Sequence, residues 1–302
     1  MDKKIIIWGH PPHTHTHSYI NFGFAKAFSH LDYDVTWYED SPEYSNDDLS
    51  DAIVITEVNS CKYLPIVNTS KYFVHNNVDG FQSSGKIEGD NIYNLLVYHE
   101  EYNWHDGVKN IDDFSWYDND NKTAVIMWAT DLLPDEIDEQ EVVLYDSSKK
   151  DINYIGSLSD DYIEKMISIS KSNDKKFNNY GGYSGIRNPT NNGFMTDEEN
   201  INLMKNSYLN LDLRPDQHKN NGYISCRVFK ALSYGCWIGT NSTKVNKFFD
   251  GRITAIDNLD DLYLETELFL KGATEEILKD NQEYIKKNHT YLNRIQSLLS
   301  VL

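Results

Sequence analysis

A loop rich in histidine follows the first apolar segment of the chain. Residues 3–8 include three isoleucines, and the next ten residues, GHPPHTHTHS, carry His10, His13, His15 and His17. A neutral imidazole near pH 7 suits removal of a proton from a hydroxyl group. Imidazole also binds zinc and nickel, but a zinc site usually recruits further ligands, and no cysteine or carboxylate pattern accompanies this loop. We therefore predict no metal site, and two interpretations remain: a general base, or a polar loop with incidental histidines.

Two of the five arginines stand at the ends of predicted elements. The segment 208–213 is typical of a strand leading into Arg214, and a helix over 226–234 follows Ser225, with Arg227 in its first turn. A helix N-terminus offers unpaired N–H groups and a positive dipole end, and arginine adds paired donors for phosphate oxygens. We predict an anion site here. The alternative is that both arginines pair with surface carboxylates.

Two further predicted strand ends carry polar side chains. His75 and Asp79 lie in VHNNVDG, and His99 and Glu101 lie in VYHEEYN. A carboxylate at such a position can orient a histidine or act as the base itself. Of these residues we name Glu101 as a candidate catalytic group.

The elements that must position these residues alternate between short apolar runs and helical patterns, which is typical of parallel sheets built from βαβ units. In the first half we predict a helix over 18–31 with Ser18 as its N-cap, and strands over 3–8, 34–38, 52–56, 71–75, 92–98 and 124–128. After a polar stretch at 146–151 the pattern restarts with strands over 152–155, 176–180, 208–213, 236–240 and 253–256. Helices are predicted over 160–172, 197–206, 226–234 and within 274–302, and Thr196 with Glu199 forms a capping box. Ligands of such sheets bind beyond the carboxyl ends of the strands.

Composition and charge narrow the class of protein. Lys plus Arg is 28 against 47 for Asp plus Glu, and the net charge of −19 disfavours nucleic acid and anionic membranes as partners. With 39% apolar residues the chain can form packed cores. Three cysteines without CxxC spacing indicate no disulfide framework. No stretch has the length of a membrane span or the form of a signal peptide, so we expect a cytoplasmic protein.

The segment LMKNSYLNLDLRP … YISCRVFKALSYGCWIGTNS resembles the C-terminal half of GT-B glycosyltransferases, most closely the group-1, CgeB-like and exostosin-like branches. Those branches share a helix of the type Ser-x-Arg-x-Phe-Glu-Ala-Leu-x-x-Gly. The resemblance implies an α/β fold with two Rossmann-like domains facing across a cleft. The implied parts are an acceptor domain at 1–146, a nucleotide-sugar donor domain at 147–275, and a C-terminal helix at 276–302 that packs back across the junction.

The resemblance also implies roles for individual residues. Ser225 and Arg227 would hold the donor diphosphate, and Gly235 would close their helix before the next strand. Lys230 stands where these families have a glutamate that bonds the ribose hydroxyls. Ribose recognition would then shift to another group such as Asp216, or Lys230 would add a phosphate contact. The remaining candidates for the donor site are Gly156, Ser157, Arg214 and Tyr223.

A spacing in the N-terminal half selects the base. In the plant-type branch of these enzymes a catalytic histidine stands eight residues before an Ala-Lys pair, and a Val-Thr pair follows ten residues further on. Here His17 precedes Ala25-Lys26 by eight residues, and Val35-Thr36 follow Ala25 by ten. The resemblance therefore implies His17 as the base, with His13 in reserve.

The expected function is metal-independent transfer of a sugar from a UDP- or GDP-sugar to a hydroxyl acceptor, a glycan in the first instance, without a bound cofactor. Inversion is preferred and retention stays open. Two other functions remain: a sugar-nucleotide epimerase of the same fold, and a non-catalytic carbohydrate-binding protein derived from a transferase, which Lys230 in place of glutamate favours. A binding protein consumes no nucleotide sugar, and an epimerase needs no acceptor. The charge disfavours a DNA-base glucosyltransferase.

Overall fold

The structure of the protein, a computed structural model, describes residues 4–12, 14–77, 85–97, 108–112, 114–180 and 195–302, with the backbone alone at residues 16 and 108–110. The chain divides into two units. Unit 1 comprises Met1–Leu133 and Thr290–Leu302, and unit 2 comprises Pro134–His289. The first unit ends at Leu133, before the predicted boundary at residue 146. The segment between these two positions already forms hydrogen bonds within unit 2. The Val143 N–H, for example, donates to the Gly235 carbonyl at 2.9 Å.

One mixed sheet organises the described part of unit 1. Its strands are β1 (Lys4–Gly9), β2 (Asp34–Glu39), β3 (Ala52–Glu57), β4 (Lys71–His75), β5 (Ile92–Leu96), β6 (Val108–Asp112), β7 (Ser115–Asp118) and β8 (Thr123–Ile126). They pair in the order β2-β1-β3-β4-β5-β8-β7-β6. The strands from β2 to β8 in this order are parallel, and β7 and β6 extend the sheet with antiparallel pairing. The carboxyl ends of the parallel strands therefore meet at one edge of the sheet.

Helix α1 (Thr16–His30) follows β1 and begins earlier than predicted. Its N-cap is His15, whose Nδ1 accepts the His17 N–H at 3.3 Å, so the prediction of Ser18 as N-cap is wrong. Ser18 instead completes a capping box, because its Oγ accepts the His15 N–H at 3.0 Å. The histidine-rich loop is thus tied into the start of the helix.

Unit 2 alternates parallel strands with helices. Its strands are β9 (Asp151–Ile155), β10 (Lys176–Tyr180), β11 (Asn210–Asp212), β12 (Ile238–Thr240) and β13 (Thr254–Ala255). Strand β10 pairs with β9, and β11, β12 and β13 pair in that order. The Tyr208 N–H donates to the Asp151 carbonyl at 2.7 Å, so the segment leading into β11 runs beside β9. The helices are α2 (Pro134–Asp138), α3 (Asp160–Ser172), α4 (Asp197–Lys205), α5 (Asp216–Asn220), α6 (Cys226–Ser233), α7 (Asn246–Phe249), α8 (Leu259–Gly272) and α9 (Glu275–Asn288).

Helix α6 is largely buried in unit 2. A glycine follows it before the next strand, as the resemblance implied. After its last residue the chain passes through Gly235, whose φ is +79°. A Cβ on Gly235 would lie 2.7 Å from Val142 Cα, so a larger residue would collide with the backbone. The apolar face of α6 is buried through Val228, Phe229 and Leu232.

The last helix, α10 (Tyr291–Leu299), packs within unit 1. It approaches α1 so closely that a Cβ on Gly23 would overlap the Tyr291 ring. Arg294 is buried, and its guanidinium donates to the carbonyls of Met127 at 2.8 Å and Trp128 at 3.1 Å. The C-terminal helical region predicted over 274–302 is therefore shared between the units, with α9 in unit 2 and α10 in unit 1.

The predicted α/β class is confirmed, and the large, mostly parallel sheet is consistent with the predicted GT-B fold. The capping box of Thr196 and Glu199 at α4 is also confirmed. Sequence patterns missed the β6–β7 pair and α8. Within the described ranges, no helix has both the length and the apolar character that a membrane crossing requires.

Candidate functional site

Buried charged groups lie at strand ends in both units. We call Asp212, Arg214 and Arg227 of unit 2 the arginine cluster, and His10, His15, His17 and Glu57 of unit 1 the histidine cluster. Both lie where parallel strands end, which is the edge at which open α/β sheets bind ligands.

Arg227 lies in the first turn of α6 and reaches back to the end of β9. Ser225 caps the helix, with its Oγ accepting the Arg227 N–H at 3.0 Å. The guanidinium donates from Nε to the Ile155 carbonyl at 3.0 Å and from Nη1 to Asp212 Oδ1 at 2.5 Å, and Nη2 also donates to Ile155. Its Cζ lies 4.3 Å from the centroid of the Tyr154 ring. These contacts hold the guanidinium in one orientation.

Gly156 makes room for that guanidinium. Its φ is +137°, a conformation that residues with a side chain rarely adopt, and a Cβ there would overlap Arg227 Nη2. Its N–H donates to the Tyr180 carbonyl at 2.8 Å, which anchors the turn to the end of β10. Glycine is therefore favoured at this position by the backbone conformation, and a larger residue would have to displace the guanidinium.

Arg214 follows β11 and is also buried. Its Nη2 lies 3.0 Å from Asp212 Oδ1 and donates to Tyr154 Oη at 3.0 Å. Its backbone is held by side chains, since its N–H donates to Asn241 Oδ1 at 2.6 Å and its carbonyl accepts from Tyr162 Oη at 2.9 Å. Among the described residues, its buried Nε has no hydrogen-bond partner.

A single carboxylate serves both arginines. Asp212 is 1% exposed, and burial by itself would raise its pKa. The charges of Arg214 and Arg227 outweigh burial and hold the pKa below its ordinary value. Two guanidinium charges against one carboxylate leave one positive charge in the cluster. The alternative that these arginines pair with surface carboxylates is therefore wrong, because their partner is the buried Asp212.

The other predicted donor-site residues take different environments. Tyr223 is half-buried, and its ring centroid lies 5.7 Å from Arg214 Cζ, beside the cluster. Ser157 follows Gly156 and is exposed, and Lys230 is buried within α6. Asp216, the alternative ribose contact, lies 2.8 Å from the amino group of Lys219 at the start of α5.

The histidine cluster is organised by a carboxylate that sequence reasoning missed. Glu57 ends β3 and is 1% exposed. Its Oε1 lies 2.9 Å from His10 Nε2 and 3.7 Å from His15 Nδ1, and its Oε2 lies 2.7 Å from His17 Nδ1. Because β1 and β3 are adjacent parallel strands, the loop after β1 and the last residue of β3 meet at the same edge.

Glu57 carries its charge at neutral pH despite its burial. Burial would raise its pKa, but the bond to His17 and the charges of His17, His15 and His10 outweigh it and lower the pKa to about 2. The carboxylate faces His17 Nδ1, and Nε2 lies on the opposite side of the ring. His17 Nε2 lies 3.4 Å from Asn76 Nδ2, and Asn76 follows β4 with a φ of +56°. The structure thus places an imidazole beside a buried carboxylate at this edge of the sheet.

His75, a further polar residue at a strand end, has a different character. It is fully buried, and burial, followed by the charge of His17, lowers its pKa to about 3. Its ring centroid lies 5.7 Å from that of His17 and 5.2 Å from that of Trp128. His75 therefore stays neutral at physiological pH, and its ring lies near the rings of His17 and Trp128.

Of the three predicted catalytic residues, the structure places His17 in the histidine cluster, while His13 and Glu101 lie outside the described residues. Glu57 and Asp212 were missed. Asp212 precedes Arg214 by two residues, and strand alternation puts such a pair on one face, which is the signal that could have found it. Glu57 lacks a comparable signal, because its partners come from another strand.

The strand ends of this α/β protein thus carry a pair of arginines around one carboxylate in unit 2 and histidines around another in unit 1. Residues 163–300 match the model of a family described as Glycosyl transferase-like. The match contains the whole arginine cluster and confirms the predicted resemblance to a group-1-type glycosyltransferase, while the CgeB-like and exostosin-like branches stay a prediction. It supports glycosyl transfer as the general activity and implies a sugar donor and an acceptor. No curated protein is significantly similar to the chain.

Proposed function

We propose that the protein transfers a sugar from a nucleoside-diphosphate sugar, with UDP or GDP as the nucleotide, to a hydroxyl acceptor such as a glycan. The observation that carries the proposal is the arginine cluster, which lies within the matched residues 163–300 and keeps one positive charge. Unit 2 is then the donor-binding part.

The leaving group of such a transfer is a diphosphate, and its negative charge grows as the bond to the sugar breaks. Cationic groups held in place before the reaction stabilise that charge most effectively. Arg227 is fixed by four partners, and Arg214 has a buried Nε without a partner among the described residues. The N-terminus of α6 adds its dipole beside them. Because the chain supplies these cations itself, the proposed transfer is independent of a divalent ion at the diphosphate.

Further candidates complete the donor site. Ser225 orients the start of α6, and Gly156 with Ser157 forms the turn after β9. Tyr223 lies beside Arg214 and offers an aromatic face. We assign Lys230, which stands where the family has a glutamate, to a contact with phosphate.

His17 is the proposed base for the acceptor. The acceptor oxygen bonds to the anomeric carbon, and the bond between that carbon and the diphosphate oxygen breaks with its electron pair on the diphosphate. The acceptor proton passes to His17 Nε2, while Glu57 stabilises the imidazolium through Nδ1. A single displacement of this kind inverts the anomeric centre. His13 and Glu101 stay as alternative bases.

A thermal-shift screen of UDP, GDP, CMP and their sugars tests the donor site. A ligand at 100 times its Kd adds about 2.7 kcal/mol to the native state, which raises Tm by several degrees. We expect a shift with one nucleoside diphosphate, unaffected by EDTA and lost in Arg227→Lys, which keeps the charge but not the paired donors. Arg252→Lys is the matched control, since Arg252 pairs with the exposed Asp280. The absence of a shift with every nucleotide overturns the proposal.

Turnover then separates transfer from the two other functions. The proposed enzyme releases free nucleoside diphosphate only when an acceptor is present. An epimerase interconverts the donor sugar without an acceptor, and a binding protein leaves the donor unchanged. Either of those results refutes transfer while leaving nucleotide binding intact.

A further inference from the structure

We propose that His10, His15 and Glu57 form a binding site for a first-row divalent transition ion such as Zn²⁺. The ligand atoms that the three residues offer lie within 4.8 Å of one another. Two imidazoles and one carboxylate make a donor set that zinc commonly takes in proteins. This site belongs to unit 1, and it neither requires nor replaces the proposed donor site of unit 2.

The distances favour one ion shared by all three residues. Ligands of a tetrahedral zinc ion stand about 2.0–2.2 Å from the metal, which places them about 3.4 Å from each other. Glu57 Oε1 lies 2.9 Å from His10 Nε2 and 3.7 Å from His15 Nδ1, on either side of that value. An ion between the three atoms would therefore replace the direct contact of Glu57 Oε1 with His10 Nε2.

The two oxygens of Glu57 face different partners. Oε1 lies towards His10 and His15, whereas Oε2 lies 2.7 Å from His17 Nδ1. An ion on Oε1 leaves the contact of Oε2 with His17 in place. Three protein ligands leave a coordination position open for water or another small ligand.

The surroundings of the carboxylate give a physical reason for an ion here. Glu57 is 1% exposed, and a buried charge is costly unless an opposite charge compensates it. The rings of His10 and His15 lie with centroids 4.1 Å apart, so both imidazoles approach the same carboxylate oxygen. A divalent ion among these atoms would add an opposite charge beside the carboxylate. An ion bound by His15 Nδ1 would take the place of the His17 N–H, which that nitrogen accepts at 3.3 Å.

Cobalt titration of the untagged chain, without nucleotide or acceptor, tests the site. We expect one Co²⁺ per chain, with the intense visible absorption of a low-coordinate ion, and its displacement by Zn²⁺. His10→Ala and Glu57→Gln should each weaken binding by at least about tenfold. His30→Ala is the matched control, because His30 is exposed at the far end of α1 and should bind Co²⁺ as the wild type does.

The proposal is overturned if the wild type shows no saturable cobalt binding. It is also overturned if His10→Ala and Glu57→Gln both bind cobalt as the wild type does. Circular dichroism checks that each variant is folded. If Glu57→Gln fails to fold, His10→Ala decides the question, since its side chain is one-third exposed. Because the titration contains no nucleotide, its failure leaves the proposed donor site standing, and failure of the nucleotide screen leaves the metal site standing.

Discussion

Replacing Gly156 by alanine should displace the Arg227 guanidinium. The added Cβ overlaps Nη2, which donates to the Ile155 carbonyl at the end of β9. To avoid the methyl group the guanidinium must give up Ile155, and its contact of 2.5 Å with Asp212 is disturbed as well. We therefore expect Gly156→Ala to lose stability and to lose the thermal shift induced by a nucleoside diphosphate.

The size of the effect can be worked from these contacts. Holding alanine at a φ of +137° costs about 1–3 kcal/mol. A hydrogen bond from a charged group contributes about 1.5–3 kcal/mol, and here the Ile155 contact of Arg227 is lost. The free energy of unfolding should then fall by about 3–5 kcal/mol, which urea unfolding at pH 7 measures directly.

Gly251→Ala is the matched control. Gly251 also has a positive φ, +77°, but an added Cβ there meets no atom of the described residues within 4 Å. This variant carries the backbone cost of about 1–2 kcal/mol without the collision, and it should keep the nucleotide-induced shift. The reasoning is refuted if Gly156→Ala loses no more stability than Gly251→Ala and still responds to nucleotide.

Two further predictions follow from the clusters. His17→Ala should lower kcat by about 10²–10⁴-fold while the nucleotide-induced thermal shift stays unchanged; near-normal turnover would exclude His17 as the base, and His30→Ala should behave as the wild type. Asp212→Asn leaves two guanidinium groups without their carboxylate and should cost about 3–5 kcal/mol at pH 7. Because the folded-state pKa of Asp212 lies below 3.8, its contribution is complete above pH 3.8 and is lost as the pH falls further. Urea unfolding at a series of pH values should show the gap between variant and wild type narrowing below pH 3.8, and a constant gap contradicts the assignment.

Local patterns were sufficient for many elements. The capping box of Thr196 and Glu199 marks the start of α4, and the apolar spacing of residues 226–234 covers α6. Helix α8 was missed, although it carries the capping residue Asn258 and two acidic residues in its first turn. The face of α8 that packs against the sheet becomes recognisable only once β12 is in place. Gly239 of β12 leaves space for Thr266 of α8, and a Cβ on Gly239 would overlap Thr266 Oγ1. The start of α1 was misplaced because the histidine before it acts as the cap in place of a serine.

The sequence by itself determined the α/β class and placed Arg214 and Arg227 at element ends, because strand alternation, helical spacing and capping are properties of neighbouring residues. Tertiary structure decided the partners of those residues. His10 and Glu57 are 47 positions apart and meet because β1 pairs with β3, and Arg227 reaches Ile155 across 72 positions because α6 starts beside the end of β9. Which strands become neighbours depends on the packing of the whole unit, and no local spacing encodes it. The charge of each cluster, and with it the chemistry, therefore depends on the fold.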